Sequence, residues 1–290
     1  MTRRQPRHST RITGIVVGHA NPDFDAYAAM VAATKLYEDT RAVYLGSQNA
    51  NVREFHNLHE DFVAFTDLKT LDLGAIERVI MVDTREPGRV GELRSVVERP
   101  GVEVIVYDHH PRQPGDLTPA EDYSMSVGAT TSILVHEIRD RGIPITPLEA
   151  TVMLLGIHED TGSLTYPGTT AYDAEAAAFL MASGAEMEVL NQFLSRALTP
   201  PQRVVLDSLL DTLEVWDIHG QEVAVGWASA EEYIDSASVL THYICEDLGY
   251  RVAIALVAMP ERLQVVGRSR LADVDIGAVL KHIGGGGHPQ

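Results

Sequence analysis

The sequence has a single cysteine and few basic residues. Its 290 residues include 23 Lys and Arg against 41 Asp and Glu, a formal charge of −18 with neutral histidines. One cysteine, Cys245, excludes an intramolecular disulfide and a thiolate cage for zinc. The excess of acid repels phosphate backbones at long range, so an anionic substrate needs local cations, supplied by bound metal ions or a few arginines.

Long apolar runs are also missing. The apolar stretch after the basic N-terminus, ITGIVVG, is too short for the core of a secretory signal. No segment approaches the ~18 apolar residues that span a bilayer. We therefore expect no membrane association and a cytoplasmic location. Aromatic residues make up 6% of the chain and do not alternate with basic ones, which argues against a protein that tracks long single strands of nucleic acid.

Short β-branched runs alternate with helical patterns over the first part of the chain. The βαβ order is typical of a parallel sheet with helices on both faces. The pattern over 128–194 is mostly helical, and we predict a doubly covered parallel α/β domain over 1–195. The runs that predict its buried strands are ITGIVV (12–17), RAVYLG (41–46), ERVIMVD (77–83) and VEVIVYD (102–108).

A smaller domain is predicted beyond this point. RALTPPQR (196–203), with two adjacent prolines, is the predicted linker. TLEVWDIHGQEVAVGWAS predicts a hairpin with His-Gly at its turn, SASVLTHYICEDLG a helix, and YRVAIALVAMPERLQVVGRSR two strands around MPER. We predict an α+β domain over 204–290. The sequence stops inside the loop that contains GGGGHPQ, so we expect this domain to be truncated at its C-terminus.

Aspartates and histidines are concentrated where predicted strands and one helix end. Each segment has an ordinary explanation: the acids of NPDFD as helix caps, VDTRE and YDHHP as polar turns. An acid at the C-terminus of a helix needs a positive partner, because it meets the negative end of the dipole. In open parallel sheets ligands lie at the carboxyl ends of strands, so the segments should meet. The residues concerned are His19, Asp23, Asp25, Asp83, Asp108, His109, His110 and Asp160.

Together these segments predict a metal centre. Carboxylate and imidazole ligands without thiolate suit manganese, magnesium, cobalt or iron better than structural zinc. A carboxylate shared between two ions holds them ~3.5–4 Å apart, and such a pair activates a bridging water and clamps both oxygens of a phosphoryl displacement. The predicted chemistry is therefore hydrolysis of a phosphate ester or anhydride.

Four motifs carry a family resemblance. HANPDFDA, VDTRE, YDHHP and EDTGSLTYPGTT, in this order, resemble the DHH phosphoesterase superfamily. The resemblance implies two divalent cations, Mn²⁺ first, with Mg²⁺, Co²⁺ or Fe²⁺ as alternatives. It implies that Asp83 bridges the two ions and takes part in catalysis with His110, which faces the phosphate, while Asp108 orients a neighbouring histidine. The implied ligands are His19, Asp23 and Asp83 for one ion, and Asp25, Asp83, His109 and Asp160 for the other.

The second domain continues the resemblance through GRSR and GGGGHP, which are similar to the family's associated C-terminal substrate-binding domain. By themselves, the two arginines could be ordinary charges of an edge strand or bidentate phosphate contacts on one strand face. The glycine run could be a flexible linker or a loop whose N–H groups approach an anion. The resemblance favours substrate binding by Arg268, Ser269, Arg270, Gly285, Gly286, Gly287 and His288.

The sequence thus predicts a metal-dependent phosphoesterase. The expected substrates are short oligoribonucleotides or small nucleotides, such as nucleoside bisphosphates and dinucleotides. Two alternatives stay open: an inorganic pyrophosphatase or exopolyphosphatase with the same metal set, and a regulatory module that senses a nucleotide. HANPDFDAYAAMVAATKLY and LGSQNANVREF are similar to a subgroup that continues into CBS domains and a poly(A)-polymerase or CCA-adding nucleotidyltransferase. Such domains are expected in the full-length protein, and a homodimer is left open.

Overall fold

The chain divides into two compact units, Met1–Ser195 and Arg196–Gln290, in the computed structural model. None of the helices in the described part of the chain is long and apolar enough to cross a membrane. The structure describes residues 12–46, 48–59, 65–194, 198–234, 237–271 and 273–284.

Unit 1 is built on a six-stranded sheet in the order β3-β2-β1-β4-β5-β6, in which every neighbouring pair is parallel. The central strands consist almost entirely of buried apolar residues, as expected of a sheet covered on both faces. The strands are β1 (Gly14–Val17), β2 (Thr40–Tyr44), β3 (Thr66–Asp67), β4 (Arg78–Val82), β5 (Glu103–Tyr107) and β6 (Glu121–Asp122).

Successive residues of the central strands enter two different cores, because side chains alternate across a sheet. Val16 and Ile80 pack with α1, α4 and α5, whereas Ile15 and Val79 pack with α3 and its preceding turns. Residues 24–33 of α1 are all buried, which suits a helix that is apolar all round. The helices are α1 (Phe24–Leu36), α2 (Ala50–Leu58), α3 (Arg94–Val97), α4 (Thr130–Asp140), α5 (Pro147–Asp160), α6 (Ala171–Ala182) and α7 (Met187–Leu194).

Gly156 allows α5 to approach α1 and α4 closely. A Cβ atom at this position would lie 2.8 Å from Ala28 Cβ, 2.9 Å from the backbone oxygen of Phe24 and 3.0 Å from Thr131 Oγ1. Real Cβ atoms do not come this near to backbone oxygen. The absence of a side chain therefore sets the distance between the helices one turn before Asp160.

We expect Gly156→Ala to lower the free energy of unfolding by about 1–3 kcal/mol, because overpacking against backbone cannot be relieved by rotating a side chain. The better helix propensity of alanine, about 1 kcal/mol, offsets only part of this loss. Urea unfolding followed by circular dichroism measures the change. Gly168→Ala is the control, since a Cβ atom there meets nothing within 4 Å. Equal midpoints for the two variants would contradict the close approach.

Unit 2 is a four-stranded mixed sheet in the order β10-β9-β8-β7. The outer pairs are antiparallel hairpins, as predicted, and β8 and β9 are parallel. His219 and Gly220 both have positive φ, the conformation of a tight type I′ turn. The elements are α8 (Pro200–Asp211), β7 (Glu214–Ile218), β8 (Gln221–Ser229), α9 (Ser238–Glu246), β9 (Val252–Met259), β10 (Arg262–Ser269) and α10 (Ile276–Lys281).

Helices cover both faces of this smaller sheet. Apolar residues of α8 and α9 pack on one face, and Ile276 and Leu280 of α10 pack on the other. The predicted class, a parallel doubly covered α/β sheet with a smaller α+β unit, is confirmed. The second half of the predicted linker 196–203 is helical, because Pro200 begins α8 and Thr199 caps that helix. Proline suits the first helical turn, where its missing N–H has no intrahelical partner.

Candidate metal centre

The predicted ligand segments converge at the carboxyl edge of the sheet in unit 1. In the strand order, β4 lies between β1 and β5. Asp83, directly after β4, therefore lies between His19, which follows β1, and the DHH segment, which follows β5. The N-terminus of α1 brings in Asp23 and Asp25, and the last residue of α5 is Asp160. All six residues predicted as metal ligands lie in this region.

Three groups of possible ligand atoms share Asp83: one contains His109 and His110, and the other two match the predicted ligand sets. His19 Nε2 lies 3.3 Å from Asp83 Oδ2 and 3.8 Å from Asp23 Oδ2. His109 Nε2 lies 3.5 Å from Asp83 Oδ1 and 3.2 Å from Asp160 Oδ2. Each oxygen of Asp83 thus faces a different group. The ligand atoms within each group lie within 4.8 Å of one another: His19, Asp23 and Asp83 in the first, and Asp25, Asp83, His109 and Asp160 in the second.

The backbone at Asp83 has an uncommon conformation. Its φ is +58°, in the left-handed region that Asp and Asn tolerate better than other non-glycine residues. The backbone N–H donates to the carbonyl oxygen of Tyr107 at 2.9 Å, so the turn is tied to the end of β5. Residues held in this region cluster at functional sites, where the surrounding structure supports the strain. At Asp83 the conformation aims the carboxylate between β1 and β5.

Burial and crowding perturb the ionisation of these groups. Burial and the negative charge of Asp83 raise the pKa of Asp25 to about 7. Burial would also raise the pKa of Asp83, but its hydrogen bond from His19 and the nearby histidines lower it to about 2. Burial would lower the pKa of His109, but the hydrogen bond to Asp160 and the surrounding aspartates raise it to about 10. Without a cation, protons have to balance the buried negative charge.

These residues fit a pair of divalent cations. The donors are carboxylate oxygens and imidazole nitrogens, with no thiolate, which suits manganese and similar ions. Asp25 and Asp83 are fully or almost fully buried, at 0% and 2% exposure. Buried carboxylates this close together are stable only with positive charge among them. Divalent cations would supply that charge in place of the protons.

We expect Mn²⁺ binding to strengthen as the pH rises. With a pKa of about 10, His109 is protonated at neutral pH in the metal-free protein, so a cation has to displace that proton. The association constant should rise up to tenfold per pH unit for each proton released, and more steeply below pH 7, where Asp25 is also protonated. Titration calorimetry between about pH 6 and 8.5, in buffers of different ionisation enthalpy, measures both affinity and released protons. Constant affinity across this range would contradict the proton displacement.

His110 differs from His109 in its contacts. Its Nδ1 lies 2.8 Å from Asp108 Oδ1, and its backbone N–H donates to the same oxygen at 3.1 Å. Because that carboxylate accepts, Nδ1 carries the hydrogen in this contact. Arg85, which the sequence analysis did not single out, donates to Asp108 Oδ2 at 3.1 Å and to the backbone oxygen of His110 at 2.9 Å. The structure therefore places Asp108 against His110.

Other positioning contacts were also missed from the sequence. Glu159 Oε2 accepts from the backbone N–H of Phe24 at 2.6 Å, which ties the start of α1 to the end of α5. Thr130 and Thr131 donate their backbone N–H groups to Asp25 at 2.7 and 2.9 Å. These pairs are 105 or more residues apart in the chain. The one sequence signal is Ala129, a poor N-cap that leaves α4 in need of acceptors from elsewhere.

The predicted substrate residues of unit 2 lie at the end of β10. Arg268 and Arg270 both approach Glu246 of α9, at 3.5 and 3.6 Å, and Arg270 lies one residue beyond the strand. Ser269 is 2% exposed and its hydroxyl bonds with the backbone of Leu271, which corrects the expectation of a ligand-facing serine. Side chains alternate along a strand, so Ser269 faces away from the arginines. The remaining predicted residues, Gly285, Gly286, Gly287 and His288, lie outside the described residues.

This fold and this group of side chains define a class, α/β proteins that gather carboxylate and imidazole metal donors at the carboxyl ends of their strands. The chain belongs to the DHH family: the model "DHH family, N-terminal domain" matches residues 13–157. The resemblance to the DHH family seen in the four motifs is thereby confirmed.

Three curated relatives illustrate the range of the family. An A-adding tRNA nucleotidyltransferase of Geobacter sulfurreducens is 40% identical over 94% of this chain and 31% of its own length. A cyclic-di-AMP phosphodiesterase of Listeria monocytogenes is 24% identical over 94% of this chain and 43% of its own length. A probable manganese-dependent inorganic pyrophosphatase of Deinococcus radiodurans is 35% identical over 57% of this chain and 52% of its own length. The chain thus spans less than half the length of the first two.

A solved structure shares the fold. The exopolyphosphatase-related protein from Bacteroides fragilis matches with a TM-score of 0.77, covering 96% of this chain and 85% of that chain. Its sequence identity to this chain is 16%, so the likeness establishes the fold alone.

Proposed function

We propose that the protein is a manganese-dependent phosphodiesterase that hydrolyses short oligonucleotides or dinucleotides. The observation that carries the proposal is the shared carboxylate, because Asp83 offers one oxygen to each of two ligand groups. His110 lies beside it, with Nδ1 3.7 Å from Asp83 Oδ1. A shared carboxylate next to an oriented histidine suits hydrolysis at phosphorus.

Paired cations, when bound, stabilise the charge of the phosphoryl group and make water a better nucleophile at neutral pH. The protein's own residues arrange the rest. Asp83 belongs to both ligand groups and so fixes where they lie relative to each other. Asp108 keeps the hydrogen of His110 on Nδ1. Nε2 of His110, when protonated, donates to a phosphoryl or leaving-group oxygen. As water oxygen bonds to phosphorus and the ester P–O bond breaks, the departing nucleoside oxygen takes up that proton. The attacking water loses one proton to solvent, and Nε2 takes a proton back from solvent before the next turnover.

A nucleotide substrate is supported by the extent of the matches. The relatives named for acting on tRNA or cyclic-di-AMP match over 94% of the chain, including unit 2. The pyrophosphatase of D. radiodurans matches over 57%. Arg268 and Arg270 of unit 2 suit contacts with a nucleotide phosphate. To bind a phosphate, the two arginines would have to give up their contacts with Glu246.

Inorganic pyrophosphatase activity is the second candidate. It is favoured by the 35% identity to the probable manganese-dependent pyrophosphatase over 57% of this chain. The 40% identity to a tRNA nucleotidyltransferase supports a biological context in RNA-end processing, within a longer protein that carries further domains. A module that only senses a nucleotide is the non-enzymatic alternative.

Turnover of Mn²⁺-loaded protein separates these functions. Diadenylate is assayed by chromatography of released mononucleotide, and pyrophosphate by phosphate release, each beside Asp83→Asn as a blank. We expect mononucleotide from diadenylate and at most slow release of phosphate from pyrophosphate. Cleavage of pyrophosphate alone would replace the proposal with the pyrophosphatase. No turnover, together with a nucleotide-dependent rise in melting temperature, would make the protein a binding module.

A further inference from the structure

Helix α4 begins without a cap of its own. Ala129 occupies the N-cap position and makes no side-chain cap hydrogen bond. Distant carboxylates accept the free N–H groups instead. Asp173 accepts from Gly128 at 2.9 Å and from Ala129 at 3.2 Å. Asp25 accepts from Thr130 through Oδ2 and from Thr131 through Oδ1. The start of α4 is therefore built into the candidate metal centre.

Thr130 contacts both ligand groups of that centre. Its backbone N–H donates to Asp25 at 2.7 Å, and its hydroxyl donates to Asp83 Oδ1 at 2.9 Å. Thr130 and Asp25 have no exposed surface, and Asp83 has 2%. Water therefore does not compete for these hydrogen bonds, which makes them stronger than the same bonds at a surface.

The hydroxyl bond decides how Asp83 is oriented. Asp83 Oδ1 accepts from Thr130 and lies 3.5 Å from His109 Nε2, whereas Oδ2 lies 3.3 Å from His19 Nε2. Rotation of the carboxylate about its Cβ–Cγ bond would break the contact with Thr130. A carboxylate free to rotate can give both oxygens to one cation, since aspartate binds metals in either mono- or bidentate mode. Held as it is, Asp83 gives one oxygen to each group.

We infer that Thr130 is a positioning residue whose hydroxyl keeps Asp83 shared between two divalent cations. The inference deepens the proposed function and rests on the cation centre it contains. Thr130 itself touches neither substrate nor a reacting atom in this role. Its effect is on how many cations the protein holds and how they are coupled.

Thr130→Val tests this, because valine has nearly the shape of threonine and leaves the backbone N–H to Asp25 in place. We expect the affinity for the weaker Mn²⁺ to fall 10- to 100-fold, the range seen for partners that orient metal ligands. At Mn²⁺ concentrations that load two ions in the wild type, the variant should hold about one. The electron paramagnetic resonance signal of a coupled Mn²⁺ pair should then give way to that of isolated ions. Thr130→Ser should restore both readouts.

Thr151→Val is the matched control. Thr151 is also completely buried, and its hydroxyl makes backbone hydrogen bonds with Pro147 and Glu186. The control should lose stability but keep two coupled ions. If Thr130→Val does not fold, Thr130→Ala removes the hydroxyl without placing a methyl group against Asp83 and decides the same question.

Two coupled ions in a folded Thr130→Val or Thr130→Ala variant would overturn the inference. The same measurements distinguish this failure from failure of the proposed function. If wild-type protein binds two coupled ions but cleaves no phosphodiester, the proposed substrate is wrong, while the variants still decide the role of Thr130. If wild-type protein binds no Mn²⁺, both are overturned.

Discussion

Asp83→Asn is expected to lower kcat for diadenylate roughly 1,000-fold, several kcal/mol of lost transition-state stabilisation. Asparagine keeps the size of the side chain and tolerates the positive φ of this position, so the turn should survive. Its amide has one neutral oxygen and cannot offer a charged oxygen to each ligand group. The number of bound Mn²⁺ ions, measured by elemental analysis after gel filtration, should fall from two to one or fewer.

A surface aspartate provides the control for this variant. Asp140 is 68% exposed at its side chain and pairs with Arg139, so Asp140→Asn removes the same charge far from the centre. That variant should keep full activity and two ions. Circular dichroism checks that both variants are folded. Full activity and two ions in Asp83→Asn would rule out a shared carboxylate at this position.

His110→Gln is expected to lower kcat 100- to 10,000-fold while leaving two ions bound, because a general acid contributes to the chemical step by that amount. The loss should depend on the leaving group. A p-nitrophenyl phosphodiester releases a weakly basic phenolate that needs little protonation, so its hydrolysis should fall much less than that of diadenylate. Steady-state kinetics on both substrates, with metal analysis, measure the difference.

Asp108→Asn tests the contact that orients His110 while leaving His110 itself in place. It keeps the size of the group that holds Nδ1 but removes its charge, so we expect a smaller, 10- to 100-fold loss on diadenylate. An equal loss of activity on both substrates in His110→Gln would contradict proton donation and leave His110 with a binding role. Loss of metal in His110→Gln would instead make it a ligand, since it lies within reach of Asp83 and His109.

The sheet of unit 1 could be predicted because its signal is local. Each central strand is a short apolar run, and such runs form parallel sheets when helical segments separate them. The candidate ligands could be predicted for a related reason. A strand end is visible in the sequence, and strand ends of a parallel sheet face one edge. Asp83 and His109 follow such strand ends, and Asp160 stands at the end of helix α5.

The contacts that orient these ligands could not be predicted in the same way. Thr130 meets Asp83 across 47 residues, and Glu159 meets Phe24 across 135. No periodicity relates such positions, because the pairing depends on how α1, α4 and α5 pack over the sheet. Gly156 is a further case, since a helix glycine looks unfavourable until the neighbouring backbone is known.

The arginines of unit 2 show the same limit on a smaller scale. Their spacing predicted that Arg268 and Arg270 lie on one side of the chain. It did not predict that both lie beside Glu246. The alternation that brings them together also turns Ser269 inward, where it bonds with Leu271. Which face of a strand is covered depends on the helix that packs there.

The sequence by itself determined the class of the fold, the set of acids and histidines at the strand ends, and the family to which the chain belongs. These follow from short-range patterns: apolar periodicity, turn residues and motif order. Only the tertiary structure decided that Asp83 presents one oxygen to each ligand group and that Thr130 holds it there. The orientation of a buried carboxylate depends on donors from other elements, and packing of distant segments brings those donors within hydrogen-bond distance.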